Sequence, residues 1–144
     1  MSQHPHDPAC LFCKIIRGEI PSARVLETDD VLAFLDINPV IQGHLLLVPK
    51  AHHATLAELP DDLAAEAGRL VPRLARAVRA ATGADGLNLI VNNGRAAGQT
   101  VDHGHWHFIP RFENDPVDWP WPHDHYSGDG LDQMRSRIER ELLV

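Results

Sequence analysis

Three histidines at alternate positions, His103-Gly104-His105-Trp106-His107, lie in a segment running from Val101 to Ile109 and stopping at Pro110. Alternation is the period of a β-strand, so the segment is predicted to be a strand carrying all three imidazoles on one face. A strand needs neighbours for its backbone groups, and a face lined with imidazoles is not an ordinary core face. The chain must therefore build a sheet around this segment and leave one side of it for chemistry. Alternate residues of a strand are ~7 Å apart, which separates the outer pair by ~13 Å. One metal with ligand bonds of ~2 Å cannot easily gather all three. Separate tasks are expected, and the middle residue, His105, is best placed to attack a group held between its neighbours.

The remaining sequence supplies the sheet. Arg24–Glu27 and Val31–Leu35 read as strands joined by the turn Thr28-Asp29-Asp30. Asp36-Ile37-Asn38-Pro39 breaks the second strand, and a third follows Gly43 from His44 to Val48, ended by Pro49. Leu87–Val91 reads as a fourth strand and Val101–Ile109 as a fifth. Leu63, Ala67, Leu70, Val71, Leu74, Val78 and Ala81 step by three and four residues, predicting a long helix from Asp61 to Thr82. Asp61 and Asp62 suit its N-terminus, Pro72 is expected to kink it, and Gly83 is its natural stop. Leu11–Arg17 reads as a short helix closed by Gly18. Leu131–Leu143 reads as a last helix with Met134, Ile138 and Leu142 on one face. Glu113–Gly130 reads as irregular. Short strands with a few helices between them predict an α+β domain with an antiparallel sheet.

With 144 residues, one domain spanning 1–144 is expected. No apolar run approaches the ~18 residues of a membrane span, and the first residues carry neither a basic nor an apolar signal region. Thirteen Lys and Arg against twenty Asp and Glu leave a net charge of −7, which argues against binding long nucleic acid. A small phosphorylated ligand stays compatible, because local donors can hold it. The loop Asn92-Asn93-Gly94-Arg95-Ala96-Ala97-Gly98-Gln99-Thr100 offers amides, a hydroxyl and flexible backbone just before the histidines, and reads as a phosphate seat. The only cysteines, Cys10 and Cys13, form a C-x-x-C pair. Without a signal region a cytoplasmic, reducing setting is expected, and there such a pair points to a metal or redox role before a disulfide.

Gly98-Gln99-Thr100-Val101, the H-x-H-x-H run and Ile109-Pro110-Arg111 together resemble the signature of the histidine triad superfamily. Cys10 to Pro21, Val31 to Pro39 and Gly43 to Lys50 are similar to the family's N-terminus and middle, so the resemblance covers roughly residues 10–111. Residues 1–9 are expected to be flexible, and the tail from 112 to 144 matches nothing nameable apart from its helix. Thr100 stands where serine is more usual. Gly104 stands where a bulky apolar residue is more usual, and is expected to leave the back face of the strand underfilled.

The resemblance implies a five-stranded antiparallel sheet with a long helix, a short N-terminal helix and a C-terminal helix. It implies His105 as nucleophile on the α-phosphorus of a nucleotide, forming a nucleotidyl-histidine that water then hydrolyses. By the same resemblance His107 contacts the α-phosphate, and His44 supports the triad from the third strand. Gln99, Thr100 and Asn92 lie beside the phosphate, and Asp36 takes the ribose hydroxyls. Phe12, Ile15, Phe34 and Ile37 form the base pocket. A carboxylate is the usual ligand of vicinal ribose hydroxyls, and a neutral imidazole is nucleophilic near pH 7.

Two thiolates at C-x-x-C spacing are half of a tetrahedral zinc site. In zinc-bearing members of the superfamily the other half implies His52, with His53 as the alternative, and His103. A Cys₂His₂ set is closed and therefore structural, pinning the N-terminal helix to the triad strand. His4, His6, His123 and His125 read as solvated. Trp119 and Trp121 fit either the mouth of the site or a dimer seam. The resemblance further implies a homodimer with the long helix and fourth strand at the seam. The ligand implied is a purine nucleotide or nucleotide conjugate. The leading reaction is release of AMP from nucleoside phosphoramidates or similar adenylate conjugates. The alternatives are hydrolysis or phosphorolysis of diadenosine tri- or tetraphosphate, and a nucleotide-binding regulatory module with little turnover.

Overall fold

The computed structural model describes residues 4–143. Within them the chain runs α1 (Leu11–Ile16), β1 (Arg24–Glu27), β2 (Val31–Leu35), β3 (Leu45–Pro49), α2 (Asp61–Thr82), β4 (Gly86–Ile90), β5 (Trp106–Arg111) and α3 (Gly130–Leu142), with short 3₁₀ turns at Leu56–Glu58 and Arg95–Ala97. The strands form one antiparallel sheet in the order β1-β2-β3-β5-β4. The sheet is five-stranded and the fold α+β, as the sequence predicts. No helix among the described residues is long and apolar enough to cross a membrane.

Alternation along the strands divides two cores. Val25, Val31, Ala33, Leu35, Leu45, Leu47 and Phe108 face α2 and α3, meeting Leu70, Leu74, Val78, Met134 and Ile138. Leu32, Phe34, Leu46 and Val48 face the other way and pack on Cys10, Phe12, Cys13 and Ile15 of the α1 region. Burying each of these aliphatic side chains contributes ~1.5–3 kcal/mol. The first core holds the scaffold, and the second carries the site.

Local signals place most ends. Gly83 ends α2 in the left-handed conformation, φ 71°, and donates its N–H to Arg79 O at 2.9 Å. The helix continues through Pro72. The triad strand differs from its expected span. Pairing begins at Trp106, not Val101, and Pro110 lies inside β5 opposite Leu87. The ladder to β3 ends at the Leu45–Phe108 pair, so the missing N–H of Pro110 breaks no bond on that side. His103 and His105 thus precede the strand, in a backbone bent by other contacts.

Gly104 explains part of that bend. Its N–H reaches His53 O at 2.8 Å, and a Cβ there would lie 2.9 Å from Leu56 Cδ2 and 3.0 Å from Leu56 N. The back face expected to be underfilled is instead filled by the 53–56 backbone, and only glycine admits that approach. In the stretch expected to be flexible, His52 N donates to Pro5 O at 2.8 Å and Ala9 N to Asp7 Oδ1 at 2.9 Å. The rest of that stretch, residues 1–3, lies outside the described residues.

Candidate active site

Cys10 caps the N-terminus of α1, its sulfur accepting the N–H of Cys13 at 3.4 Å, so one helical turn presents both thiols in the same direction. His52, just beyond β3, and His103, just before β5, converge on them. Cys10 Sγ is 3.5 Å from His103 Nδ1, and Cys13 Sγ is 3.4 Å from His52 Nδ1 and 3.6 Å from His103 Nδ1. The two Nδ1 atoms are 3.2 Å apart. Sulfur and nitrogen ligands bonded at ~2.3 and ~2.0 Å on a tetrahedron stand about 3.3–3.8 Å apart, so the set fits a zinc ion. His103 Nε2 donates to Pro49 O at 2.7 Å, which leaves Nδ1 with its lone pair toward the centre. Burial, reinforced by the neighbouring Cys10 and opposed by the Asp7 N–H, pushes the Cys13 thiol up to about 11; a divalent ion would reverse this by binding the thiolate. His52 is the histidine in the cluster, not the alternative His53.

Hydrogen bonds fix the tautomers of the other imidazoles. The Val40 N–H donates to His44 Nδ1 at 3.0 Å, so the His44 proton is on Nε2. That Nε2–H donates to His107 Nδ1 at 2.9 Å, so His107 in turn carries its proton on Nε2. His105 Nδ1 must donate to the carbonyl of His103 at 2.6 Å, because an oxygen can only accept. Its Nε2 lone pair is left free. The His105 and His107 rings are 4.6 Å apart, presenting one lone pair beside one N–H donor. Burial lowers His105 and pushes His44 and His107 down to about 3, so all three stay neutral near pH 7. His44 Nδ1 is 3.9 Å from Asp36 Oδ2, but a ring held neutral forms no ion pair with it.

These rings open into a cavity of about 300 Å³, at the small end of ligand sites. Its walls include Phe12, Ile15, Phe34, Asp36, Ile37 and Thr100, together with His105 and His107. Phe12 stands edge-on to Phe34 at 5.6 Å and to His105 at 4.9 Å, tying the apolar end to the histidines. Ile37 is 62% exposed and forms a rim, whereas the other three apolar residues are buried. Asp36 Oδ1 accepts the Asn38 N–H at 2.9 Å, so the acid closes a turn with one oxygen and keeps Oδ2 for a ligand. Burial raises its carboxyl, and the Asn38 N–H opposes that shift.

The loop before the histidines is built differently from the expectation. Gln99 is buried, with Oε1 accepting the Gly94 N–H at 2.7 Å and Nε2 donating to Ala54 O at 2.6 Å and Val101 O at 2.9 Å. Its amide staples the loop and is committed to backbone, so it is not a free phosphate ligand. Asn92 is buried against Gly98, and Thr100 is exposed at the cavity.

The tail supplies residues that the sequence does not assign. Arg111 clamps Asp115 at 2.8 and 2.9 Å, starting a segment that returns over the site. Asp124 N donates to Pro39 O at 2.7 Å and Gly43 N to Tyr126 Oη at 2.8 Å. Trp121 is thereby placed 5.1 Å from the His107 ring and 6.2 Å from His44. Trp119 rests so closely on Gly98 that a Cβ there would lie 2.7 Å from its ring. Trp121 thus stands beside the triad and Trp119 against the loop that precedes it. His123, read as merely solvated, lines the cavity near Asp36 while remaining exposed. No local sequence signal announces this return, because its anchors are backbone groups at Pro39 and Gly43, far earlier in the chain.

Comparison with known proteins shows the family. The family model described as the HIT domain matches residues 17–114. The chain is 44% identical over 136 residues to "Protein hit" of Bacillus subtilis, covering 92% of this chain and 94% of that one. It is 42% identical over 139 residues to an adenosine 5′-monophosphoramidase of Saccharomyces cerevisiae, covering 96% of this chain and 83% of the yeast protein. A zinc-bound histidine triad family protein from Mycobacterium smegmatis superposes with a TM-score of 0.83 at 33% identity over 94% of both chains. The chain therefore belongs to the HIT, or histidine triad, family.

Proposed function

We propose that this HIT-family hydrolase releases AMP from nucleoside phosphoramidates and related adenylate conjugates through a nucleotidyl-His105 intermediate. The observation that carries the reading is the tautomer of His105. With Nδ1–H held by the His103 carbonyl, the Nε2 lone pair is free beside the Nε2–H of His107. In the first step Nε2 attacks the α-phosphorus, the P–N bond to the leaving group breaks, and the leaving nitrogen takes a proton from solvent water to depart as the amine. In the second, water attacks the phosphorus and releases its proton to solvent, the P–Nε2 bond breaks, and His105 recovers its lone pair as AMP leaves. Two such displacements replace one difficult one. The His107 N–H, backed by His44, donates to the phosphoryl oxygen where charge grows. The yeast relative, an adenosine 5′-monophosphoramidase, supports this substrate class.

Asp36 Oδ2 takes the ribose, and Phe12, Ile15, Phe34 and Ile37 take the base. Gln99 and Asn92 act by shaping the loop, and the Thr100 hydroxyl faces the phosphate. Cys10, Cys13, His52 and His103 hold a structural zinc ion whose chemistry is to lock ligands in place; no step passes through it. Cysteines placed for a metal and not for a disulfide support a reducing, cytoplasmic setting. The edge strand β4 leaves Leu89 44% exposed beside α2, which supports a two-fold dimer along that seam. The test is AMP release from adenosine 5′-phosphoramidate, compared with diadenosine tri- and tetraphosphate with and without inorganic phosphate. The reading expects the phosphoramidate to be preferred. Preference for a dinucleotide, or no turnover of any of them, would contradict it.

A further inference from the structure

The apolar end of the cavity contains one polar group with no assignment. Ser22 lines the cavity beside Ile15, Ile20 and Phe34. Its Oγ is buried and, among the described residues, is the one buried side-chain oxygen or nitrogen without a hydrogen-bond partner. Its direction follows from the sheet. Arg24 pairs with Phe34 in the β1–β2 ladder, and Ala23 O extends that ladder by accepting the Leu35 N–H at 3.0 Å. Ala23 and Val25 face the α2 core, whereas Phe34 faces α1. Ser22 and Arg24 therefore fall on the α1 face, and Arg24 reaches the Ile15 carbonyl there at 2.5 Å. Ser22 stands on the side of the sheet that carries the base pocket, among Ile15, Ile20, Pro21 and Phe34 of a lining that also holds Asp36 and Asn38. Its Oγ sits behind that lining, and a turn about χ1 presents the hydroxyl to a bound base.

Burying a hydroxyl without a partner is costly, and native structures leave few such groups unless a ligand or water completes them. An apolar slot of this kind gives affinity for any flat ring but no means of reading it. A single hydroxyl in the wall, able to donate and accept, changes that. We propose that Ser22 is a specificity residue that hydrogen-bonds the polar edge of the nucleobase, so the pocket selects heteroaromatic bases over apolar rings of the same shape. The inference rests on the nucleotide reading of the site, with Asp36 at the ribose and His105 at the phosphorus.

The test uses binding, so that it does not depend on turnover. Affinities of wild type and Ser22→Ala are measured by calorimetry for AMP and for the ribonucleotide in which a phenyl ring replaces adenine. Wild type is expected to prefer AMP. Ser22→Ala is expected to weaken AMP about three- to tenfold, in the range of a neutral hydrogen bond, and to change the phenyl analogue less than twofold. Its melting temperature should equal or exceed that of wild type, because the substitution removes an unpaired group. Equal weakening of both ligands would show a packing effect, and no weakening of AMP would show a hydroxyl that reads nothing; either overturns the assignment. AMP release from adenosine 5′-phosphoramidate is followed alongside. Its absence in wild type would count against the catalytic reading alone, since the two affinity ratios still decide Ser22.

Discussion

The carbonyl oxygen of His103 lies 2.6 Å from Nδ1 of His105. The same residue that turns its imidazole into the Cys10–Cys13–His52 cluster therefore sets, through its backbone, which nitrogen of His105 is free. On the proposed reading, the metal ligands and the nucleophile share one residue and use different atoms of it, which links fold stability to catalysis.

Purified without chelator, the protein should contain about one zinc per chain. Cys13→Ala removes one of four ligands and with it folding free energy, so the melting temperature should fall by about 5–10 °C. Activity should fall as well, although Cys13 touches no substrate, because the His103 backbone loses its anchor. Metal analysis and a thermal melt check this. A metal-free wild type with full stability and activity would contradict it.

Asp36 makes discrimination for ribose measurable. Its Oδ2 can accept from adjacent hydroxyls, whereas a 2′-deoxy ligand offers only one of them. An unpaired share of a partly buried carboxylate such as Asp36 costs ~1–3 kcal/mol, or about 5- to 150-fold in kcat/KM. Wild type should disfavour the 2′-deoxyadenosine substrate by that factor, and Asp36→Ala should bring both substrates to a common low value. Undiminished discrimination in the variant would reduce Asp36 to the turn that its Oδ1 already closes with Asn38.

The buried dyad of His44 and His107 gives stability a pH dependence of known sign. Both titrate near about 3 when folded because burial disfavours the cation, against ~6.5 in an unfolded chain. Below pH ~6.5 the unfolded state binds protons that the folded state refuses. The stabilisation is complete above that pH and is lost progressively as pH falls toward 3, by ~1 kcal/mol per unit for each histidine. Urea unfolding between pH 7.5 and 4.5 should show the decline. His44→Asn should make it shallower, which separates the dyad from acid loss of the metal. A slope unchanged by that substitution would show that the dyad is not its source.

Much of this was legible where the signal was local. The β1–β2 hairpin followed from two apolar runs around Thr28-Asp29-Asp30, and α2 from its stripe and Gly83. The C-x-x-C pair pointed to a metal because one turn of helix fixes the spacing of the thiols. The start of β5 was not legible, because residues 101–105 obey long-range contacts, Gly104 with His53 and His103 with the cysteines, that no alternation pattern encodes. Gln99 looked like a ligand by its composition, yet its partners, Ala54 above all, come from another part of the chain. Trp121 and His123 reach the site only because residues after Arg111 return to the connection between β2 and β3, and that path depends on anchors at Pro39 and Gly43.

The central claim is that Nε2 of His105 carries the nucleotide. It is tested most directly by mixing enzyme with labelled adenosine 5′-phosphoramidate, quenching within one turnover, and mapping the label by mass spectrometry. The account predicts one adenylyl group on His105 in wild type. It predicts none in His105→Ala, whose turnover should be abolished while AMP affinity stays within about tenfold, since a nucleophile acts only along the reaction path. Label on His103 or His107, or a His105→Ala enzyme retaining a tenth of wild-type kcat, would contradict it.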